Sequence, residues 1–358
     1  MHFSLKNTPI QDWNLVAIMN IGRSIQELHL GNVGLTSWPA WILYFSNLTE
    51  LIISDSSISY IPANAFNTVV HTLVKLSLTN TNLTYLPRAF SQLYRLEWLT
   101  VEGANVETIL WLPFSSNLTS LYLANNNISN AEQVSVCPGP YAYSLQYVDL
   151  QGNKLTSIPE LAYMINLHYL NLNHNHIALP ETGSLPTRIG RVDLGLNSLP
   201  LIPHFFSGLF NVWYLNLPHN LINELRGEDF PPIAIIANFG YNQITNLTEA
   251  SFPNVSNITC LSLNDNPIAS ISLSAFRNLA SLSFLNLQQS ELTRLPLALC
   301  SLSNLHQLDM SGSADLVCTC AERDLQSLIV NTPEVNGECG DTTILYFFTN
   351  LTSGCDEL

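Results

Sequence analysis

The sequence has few charged residues, and most of them are acidic. Charged residues make up only 11% of the 358 residues, and 12 Lys and Arg stand against 27 Asp and Glu, which gives a formal net charge of −15 at pH 7. A surface that binds nucleic acid needs clustered Lys and Arg to replace the counterions around the phosphates. We therefore predict no nucleic-acid partner, and the charge is better suited to a basic protein or a neutral glycan.

Long apolar runs and catalytic signatures are also missing. No segment is apolar for long enough to span a bilayer, so we predict no membrane insertion within this chain. None of the common hydrolase, metalloprotease, nucleotide or dinucleotide motifs occurs. The tightest histidine group is His168, His174 and His176, whose places before and after one predicted strand suit a shared metal poorly. We therefore predict a non-enzyme without a cofactor or a metal.

What the chain does contain is an internal repeat. Between Leu145 and Leu155, apolar residues stand at positions 1, 4, 6 and 11 and Asn at position 9, in the pattern L-x-x-L-x-L-x-x-N-x-L. A recurrence every 22 to 27 residues indicates an array of stacked units. The thirteen first positions are Ile25, Leu48, Leu73, Leu96, Leu118, Leu145, Leu167, Ile189, Val212, Ala234, Ile258, Leu282 and Leu305.

This frame resembles the leucine-rich repeat, and the resemblance covers almost the whole chain. It implies an α/β fold: a leucine-rich-repeat solenoid, shaped as a horseshoe, with a concave parallel β-sheet. The x-L-x-L-x core alternates with period two, which predicts one short strand per repeat with its Leu side chains facing inward. Proline early in the return segments, as at Pro87, predicts irregular or 3₁₀ structure on the convex side.

The frame also predicts how the chain is divided. Phe3 and Leu5 fit positions 4 and 6, so we predict a partial N-terminal repeat at residues 1–24 and a chain that begins inside a repeat, as a fragment or a mature piece. Thirteen repeats are predicted to follow at residues 25–315, and a cysteine-containing C-terminal cap at residues 316–358.

Two local features carry further predictions. The amide of Asn at position 9 can donate and accept, so we expect it to bond turn backbone that would otherwise be buried without a partner. Where Ser or Thr replaces this Asn, the hydroxyl is expected to make part of the same bonds. The insertion at residues 130–143 contains adjacent Pro and Gly, which predicts a loop.

Four cysteines near the C-terminus are spaced as C-x-C, a third about twenty residues on, and a last one: Cys318, Cys320, Cys339 and Cys355. This spacing resembles the cysteine cap that closes extracellular leucine-rich-repeat arrays. The resemblance implies the disulfides Cys318–Cys339 and Cys320–Cys355, although four cysteines by themselves allow three pairings. A zinc site would need a second close pair of ligands, which the sequence lacks. Three cysteines remain: Cys137, Cys260 and Cys300. Either all three are free thiols, or Cys137 forms a disulfide with a cysteine outside this chain.

Eight N-x-S/T sequons favour passage through the secretory pathway and an extracellular or cell-surface location. They lie at Asn47, Asn82, Asn117, Asn127, Asn246, Asn254, Asn257 and Asn350. The cysteine cap supports the same oxidising compartment independently. The alternative is a cytosolic chain with accidental sequons. No sequon falls between Asn127 and Asn246.

Positions 3 and 5 of the frame are expected to point out of the concave sheet and to form two columns along the array. Exposed Trp, Tyr and Arg are enriched at binding hot spots, because they combine a large contact area with a polar tip. The alternative is that the aromatic rings only stack on one another and that the Asp and Asn only bond neighbours along the sheet. The predicted ligand-binding residues, which lie in and beside the stretch without sequons, are Trp98, Tyr122, Tyr147, Asp149, Tyr169, Asn171, Arg191, Asp193, Tyr214 and Asn216.

These features predict an extracellular recognition domain, either a receptor ectodomain or a secreted binder, that engages a protein or peptide ligand on its concave face. Three alternatives remain open on the sequence: a secreted inhibitor of a hydrolase, a glycan-binding module and a cytosolic scaffold. The fold by itself does not choose among them.

Overall fold

The computed structural model describes residues 1–114 and 117–350, and the chain divides into two compact units. The first unit comprises Met1–His176 and Thr182–Ile189, and the second comprises Ile177–Glu181 and the chain from Gly190 onwards. Each unit is a solenoid of parallel-strand repeats, which confirms the predicted fold class.

The first unit contains a parallel sheet in which each strand pairs with the next along the chain. Its strands are β1 (His2–Lys6), β2 (Glu27–Gly31), β3 (Glu50–Ser54), β4 (Lys75–Thr79), β5 (Trp98–Glu102), β6 (Ser120–Tyr122), β7 (Tyr147–Asp149) and β8 (Tyr169–Asn171). Its helices are α1 (Leu15–Gly22), α2 (Ala131–Val136) and the 3₁₀ segments Ala40–Tyr44, Arg88–Gln92 and Gly139–Tyr141. Every strand begins at position 3 of the repeat frame.

The second unit repeats this arrangement and ends in the cap. Its strands are β9 (Arg191–Asp193), β10 (Tyr214–Asn216), β11 (Ile236–Asn238), β12 (Asn246–Leu247), β13 (Cys260–Ser262), β14 (Ser270–Ile271), β15 (Phe284–Asn286), β16 (Gln307–Asp309), β17 (Glu334–Asn336), β18 (Glu338–Cys339) and β19 (Thr342–Thr343). The main parallel sheet has the order β9-β10-β11-β13-β15-β16-β17, whereas β12 pairs with β14 and β18 with β19. Its helices are α3 (Gln326–Asn331), α4 (Ile344–Thr349) and the 3₁₀ segments His204–Gly208, Gly227–Asp229, Leu297–Ser301 and Cys320–Leu325.

The apolar positions of the frame build the core. In the repeat that begins at Leu145, the side chains of Leu145, Val148, Leu150 and Leu155 are at most 4% exposed. Burying one such side chain contributes about 1.5–3 kcal/mol, so stacked repeats gain stability that a single repeat cannot. Aromatic rings extend the core under the return segments, where the ring centres of Phe66 and Phe90 lie 5.9 Å apart.

Proline sets the start of several return segments. Pro87 precedes the 3₁₀ segment Arg88–Gln92, and Pro203 and Pro296 precede the equivalent segments of the second unit. Proline has no N–H to donate and its φ is fixed, so it begins a short helical turn and cannot continue one. The predicted 3₁₀ structure on this side of the repeats is confirmed.

The position-9 asparagines bond the turns as predicted. Asn153 is 4% exposed, its Oδ1 accepts from the Ile128 N–H at 3.0 Å, and its Nδ2 donates to the carbonyls of Leu123 and Leu150 at 2.9 and 3.0 Å. Asn175 makes the same set of hydrogen bonds in the next repeat along the chain. Each amide therefore joins its own turn to the preceding repeat, which satisfies backbone that is shielded from water.

Hydroxyls at position 9 behave in two different ways. Ser290 and Ser313 lie 2.9 Å apart, Oγ to Oγ, and bond each other. The buried hydroxyls of Ser56 and Thr81 have no partner among the described residues. The prediction that a hydroxyl takes over part of the asparagine bonding is therefore wrong for Ser56 and Thr81, because the shorter side chain does not reach the neighbouring turn.

The sequence frame did not predict the backbone at position 8. This residue has a positive φ in every repeat, for example 66° at Gly152, 55° at Leu196 and 58° at Tyr241. Gly152 also lies against Asn125 of the preceding repeat, closely enough that a Cβ would clash with the Asn125 side chain. Asn, Asp and Gly tolerate left-handed backbone, which explains why they occupy most of these positions.

The insertion at residues 130–143 contains the short helix α2, so the prediction of a loop is wrong for Ala131–Val136, and the remainder consists of turns and one 3₁₀ segment. Asn130 accepts a hydrogen bond from the Gln133 N–H at 3.0 Å and thereby caps α2. The following Pro138 begins a 3₁₀ turn that buries Tyr141, whose hydroxyl donates to the Pro113 carbonyl. The capping asparagine starts the helix, which ends before Pro138 and Gly139, where the chain turns.

The C-terminal cap closes the second unit. A disulfide joins Cys318 to Cys339, as the resemblance implied, whereas the predicted partner of Cys320 is Cys355, which lies outside the described residues. Strand β17 extends the parallel sheet beyond β16, and Ile329 of α3 and Phe348 of α4 are fully buried. The cap thus covers the sheet edge and the apolar end of the array.

Candidate binding faces on the repeat sheets

The two units expose comparable sheet surfaces. In β7, Tyr147 is exposed, Val148 is buried and Asp149 is half-buried, whereas in β8 and β9 the position-5 residues Asn171 and Asp193 are buried as well. The period of two also carries position 7 to the outward side, where Glu102 and Gln151 lie. We call the surface formed by positions 3, 5 and 7 the open face of each unit.

A stacked aromatic pair dominates the open face of the first unit. The ring centres of Trp98 and Tyr122 lie 4.9 Å apart with 25° between the ring planes. The Trp98 indole N–H donates to Thr100 Oγ1 at 2.9 Å, and Lys75 Nζ lies 5.6 Å from the indole centre. Trp98 is still 38% exposed, so its orientation is fixed while much of the ring remains accessible.

Two tyrosines extend this surface. Tyr147 and Tyr169 are paired residues of β7 and β8, and Tyr147 is 41% exposed whereas Tyr169 is half-buried. Next to them, Asn171 is only 5% exposed and its Nδ2 donates to Asp149 Oδ2 at 3.3 Å and Gln151 Oε1 at 3.0 Å. Asn171 therefore orients the neighbouring polar side chains and offers little of its own surface.

Burial and charge shift the protonation of this face. Burial raises the pKa of the Glu102 carboxyl, and the negative charge of Asp149 raises it further. Burial also raises the pKa of the Tyr122 hydroxyl, with Asp149 again adding to the shift. The two carboxylates therefore repel each other on a partly desolvated surface, where a positively charged partner would relieve the repulsion.

Glu102→Gln is expected to stabilise the protein at neutral pH and to have little effect in acid. The pKa of Glu102 in the folded protein is raised above its ordinary value of 4.5. Its contribution to folding stability is therefore most favourable at a pH below that ordinary value, and it is lost as the pH rises through the raised pKa. Gln carries no charge at any pH. Thermal unfolding at about pH 4 and pH 7.5 measures the difference between variant and wild type. The exposed Glu97→Gln is the matched control, and a shift that is independent of pH in Glu102→Gln would contradict the assignment.

The open face of the second unit carries a smaller cluster. Arg191 Nε donates to Asp193 Oδ2 at 2.9 Å, and its guanidinium lies 5.8 Å from the centre of the Tyr214 ring. Asp193 is only 1% exposed, and the Asn216 amide oxygen accepts from Asn238 Nδ2 at 3.1 Å. The accessible parts of this cluster are the Arg191 guanidinium and the Tyr214 ring, because Asp193 is buried beneath them.

The predicted site residues therefore fall into two sets. Six lie on the open face of the first unit and four on that of the second: Trp98, Tyr122, Tyr147, Asp149, Tyr169 and Asn171, then Arg191, Asp193, Tyr214 and Asn216. For Asn171 and Asp193 the burial favours the alternative explanation, bonding along the sheet. Sequence reasoning missed Glu102 and Gln151 because it stopped the outward columns at position 5.

The predicted glycosylation sites are accessible. Seven of the eight sequon asparagines are exposed, and Asn127 is half-buried. Glycosylation of these sites stays a prediction. The three remaining cysteines, Cys137, Cys260 and Cys300, are free thiols. Burial raises the pKa of all three thiols, which lowers the fraction of reactive thiolate near neutral pH.

No helix in residues 1–114 or 117–350 is long and apolar enough to cross a membrane. The histidine group singled out in the sequence, His168, His174 and His176, is not the one that the fold gathers. The structure instead brings together His2, Glu27 and His29, whose ligand atoms all lie within 4.8 Å of one another.

Comparison with known proteins places these features in a family context. A family model described as Leucine rich repeat matches residues 46–106 and 238–292, and one described as Leucine Rich repeats (2 copies) matches residues 143–181. Rat osteomodulin (Rattus norvegicus) is 27% identical over 219 residues, which cover 59% of this chain and 51% of osteomodulin. Mouse keratocan (Mus musculus) is 29% identical over 269 residues, which cover 69% of this chain and 70% of keratocan. The chain thus spans about half the length of osteomodulin.

Solved structures share the fold at lower identity. A chain of the Toll–Spatzle complex from Drosophila superposes with a TM-score of 0.69 at 19% identity, covering 98% of this chain and 48% of that one. A chain of the TLR13–ssRNA13 complex gives a TM-score of 0.65 at 22% identity, covering 93% of this chain and 53% of that one. At these identities the likeness concerns the fold alone.

Proposed function

We propose that this leucine-rich-repeat chain is an extracellular, non-enzymatic recognition domain that binds a protein or peptide ligand on the open face of its first unit. The observation that carries this proposal is the fixed but accessible Trp98–Tyr122 pair, with the exposed Tyr147 ring on the same face. Receptor ectodomain and secreted binder are both compatible with it.

Preorganisation supports this choice of face. The Trp98 indole is held by the ring of Tyr122 on one side and by the hydrogen bond to Thr100, so little side-chain entropy is lost when a ligand docks. The strands beneath are regular and parallel, so we expect docking with little backbone movement. Large aromatic side chains in such a setting are the usual anchors of an interface.

The charge of the face points to the chemistry of the ligand. Glu102 and Asp149 repel each other, and the chain carries a formal charge of −15. A ligand that brings Lys or Arg side chains over Tyr122 and Tyr147 would neutralise these carboxylates and make cation–π contacts. The same charge disfavours RNA, although a structural neighbour occurs in a complex with single-stranded RNA.

The second unit offers a separate surface at Arg191 and Tyr214. Its exposed guanidinium is suited to an acidic group on a ligand. Binding there is a second candidate, which variants of Tyr214 would detect independently of variants in the first unit.

The proposal is tested by screening the purified glycosylated chain against a library of secreted and cell-surface proteins, with a glycan array, a hydrolase inhibition panel and single-stranded RNA in parallel. We expect a protein ligand whose affinity weakens as salt is added, because the open face is acidic. Signal confined to the glycan array or to RNA would contradict the proposal. Inhibition of a hydrolase would instead favour the alternative that the chain is a secreted hydrolase inhibitor.

A further inference from the structure

The first unit gathers a second group of polar side chains at the β1 end of its open face. His2 of β1 and Glu27 of β2 are paired residues at position 3, and His29 follows Glu27 at position 5 on the same side of the sheet. Their ligand atoms all lie within 4.8 Å of one another. No functional residue predicted from the sequence belongs to this group.

Together with the neighbouring Glu50, the group brings two imidazoles and two carboxylates into contact. His2 Nδ1 lies 3.0 Å from Glu27 Oε2, and His29 Nε2 lies 2.9 Å from Glu50 Oε1. The two imidazole rings meet edge to face, with their centres 4.5 Å apart. Lys75 Nζ lies 3.3 Å from the same Glu50 oxygen, so one of the two carboxylates already has a cationic partner.

We propose that His2, Glu27 and His29 form a zinc-binding site. Two imidazole nitrogens and one carboxylate oxygen are ligands that Zn²⁺ accepts, with a fourth position left for water or for a ligand from a partner. The carboxylate of Glu50 next to His29 adds negative charge that favours a cation. Lys75 opposes this effect only in part, because it is bound to Glu50 and not to Glu27.

The side chains can close around an ion without moving the sheet. Ligands of a tetrahedral zinc lie about 3.4 Å from one another, because each is about 2.0–2.1 Å from the metal. The ligand atoms of the group lie at most 4.8 Å apart, so the longest of these distances has to shorten by no more than about 1.4 Å to reach that value. The side chains of His2 and Glu27 are 47% and 50% exposed, so they have room to change rotamer, whereas β1 and β2 hold their Cα atoms in register.

A simpler account of the same contacts is a pair of histidine–glutamate ion pairs that take up protons and not metal. The two accounts differ in one measurable respect. A zinc site needs both histidines, since each supplies one ligand, whereas the two ion pairs act independently.

Zinc titration of the metal-free, tag-free chain by calorimetry, with Co²⁺ absorption as a second readout, tests the proposal. We expect one Zn²⁺ per chain, and His2→Gln and His29→Gln are each expected to weaken it about tenfold or more. His204→Gln is the matched control, because His204 forms a comparable pair with Asp229 at 2.6 Å but belongs to no described group of three possible ligands. The expected affinity of this control is that of the wild type.

Three results would overturn the zinc site. The first is the absence of stoichiometric binding and of a Co²⁺ spectrum at neutral pH. The second is zinc binding that survives both His2→Gln and His29→Gln unchanged while thermal unfolding shows that the variants are folded. The third is a loss of affinity in only one of the two variants, which contradicts a shared site.

Discussion

Asn153→Ala is expected to lower the free energy of unfolding by about 3 kcal/mol. The substitution removes the acceptor of the Ile128 N–H and the donor to the carbonyls of Leu123 and Leu150. The carbonyls keep a second partner, since Asn126 also donates to Leu123 and Asn175 to Leu150. The Ile128 N–H loses its hydrogen bond to the Asn153 side chain. A buried donor without a partner lowers the free energy of unfolding by about 1–3 kcal/mol by itself.

Urea unfolding followed by circular dichroism measures this loss, with Thr81→Val as the contrasting variant at the same frame position. The Thr81 hydroxyl is buried without a partner among the described residues, so its removal is expected to leave stability unchanged or to raise it by about 1 kcal/mol. A loss below about 1 kcal/mol for Asn153→Ala would show that the asparagine bonds do not hold the repeats together.

Removing the disulfide through Cys318→Ser together with Cys339→Ser is expected to cost about 3 kcal/mol. The two cysteines are separated by 21 residues, and crosslinking a loop of that size restricts the unfolded chain by about this amount. The cap covers the last strands of the second unit, so its loss also exposes apolar surface there. We expect the variant to unfold at lower urea concentration and to aggregate at lower temperature.

Cys300→Ser is the control for that experiment, because Cys300 is an exposed free thiol. It should change stability by no more than about 0.5 kcal/mol. Equal stability of the double variant and this control would contradict a stabilising role for the Cys318–Cys339 bond. Adding a reductant to the wild type should lower stability at least as much as the double variant does, because it also reduces the disulfide predicted for Cys320.

The repeat frame predicted the fold because one physical requirement recurs along the chain. Each repeat needs inward apolar side chains at positions 4 and 6 and a hydrogen-bonding Asn at position 9, as in the repeat from Leu145 to Leu155. All thirteen frames begin their strand at position 3. The family pattern of the cap likewise predicted the Cys318–Cys339 pairing.

Features that depend on contacts between repeats were not predictable in the same way. Whether Asn171 or Asp149 offers its surface depends on the side chains of the adjacent strands, and the structure buries the first and leaves the second half-exposed. Strand β17 has no Leu repeat of its own and forms because a sheet edge is available beside β16. Helix α2 forms because Asn130 caps it and Val134 is buried, and it ends before Pro138 and Gly139.

The metal-ligand group was missed for a different reason. Phe3 at position 4 and Leu5 at position 6 place His2 at position 3, directly beside Glu27 in the register of a parallel sheet. The histidines that lie closest together in the sequence are His168, His174 and His176. In a repeat array, residues at equal frame positions are neighbours even when about 25 residues separate them.

The central claim is that the open face of the first unit binds the ligand, and the affinity of one ligand for two double variants tests it most directly. Trp98→Ala with Tyr147→Ala removes two accessible rings of that face, whereas Tyr60→Ala with Tyr143→Ala removes two rings, 61% and 78% exposed, from outside the β-strands. We predict that Kd rises at least about 100-fold in the first variant, since each hot-spot side chain contributes about 2 kcal/mol, and stays unchanged in the second. An unchanged Kd in the first variant, or an equal loss in both, would contradict the claim.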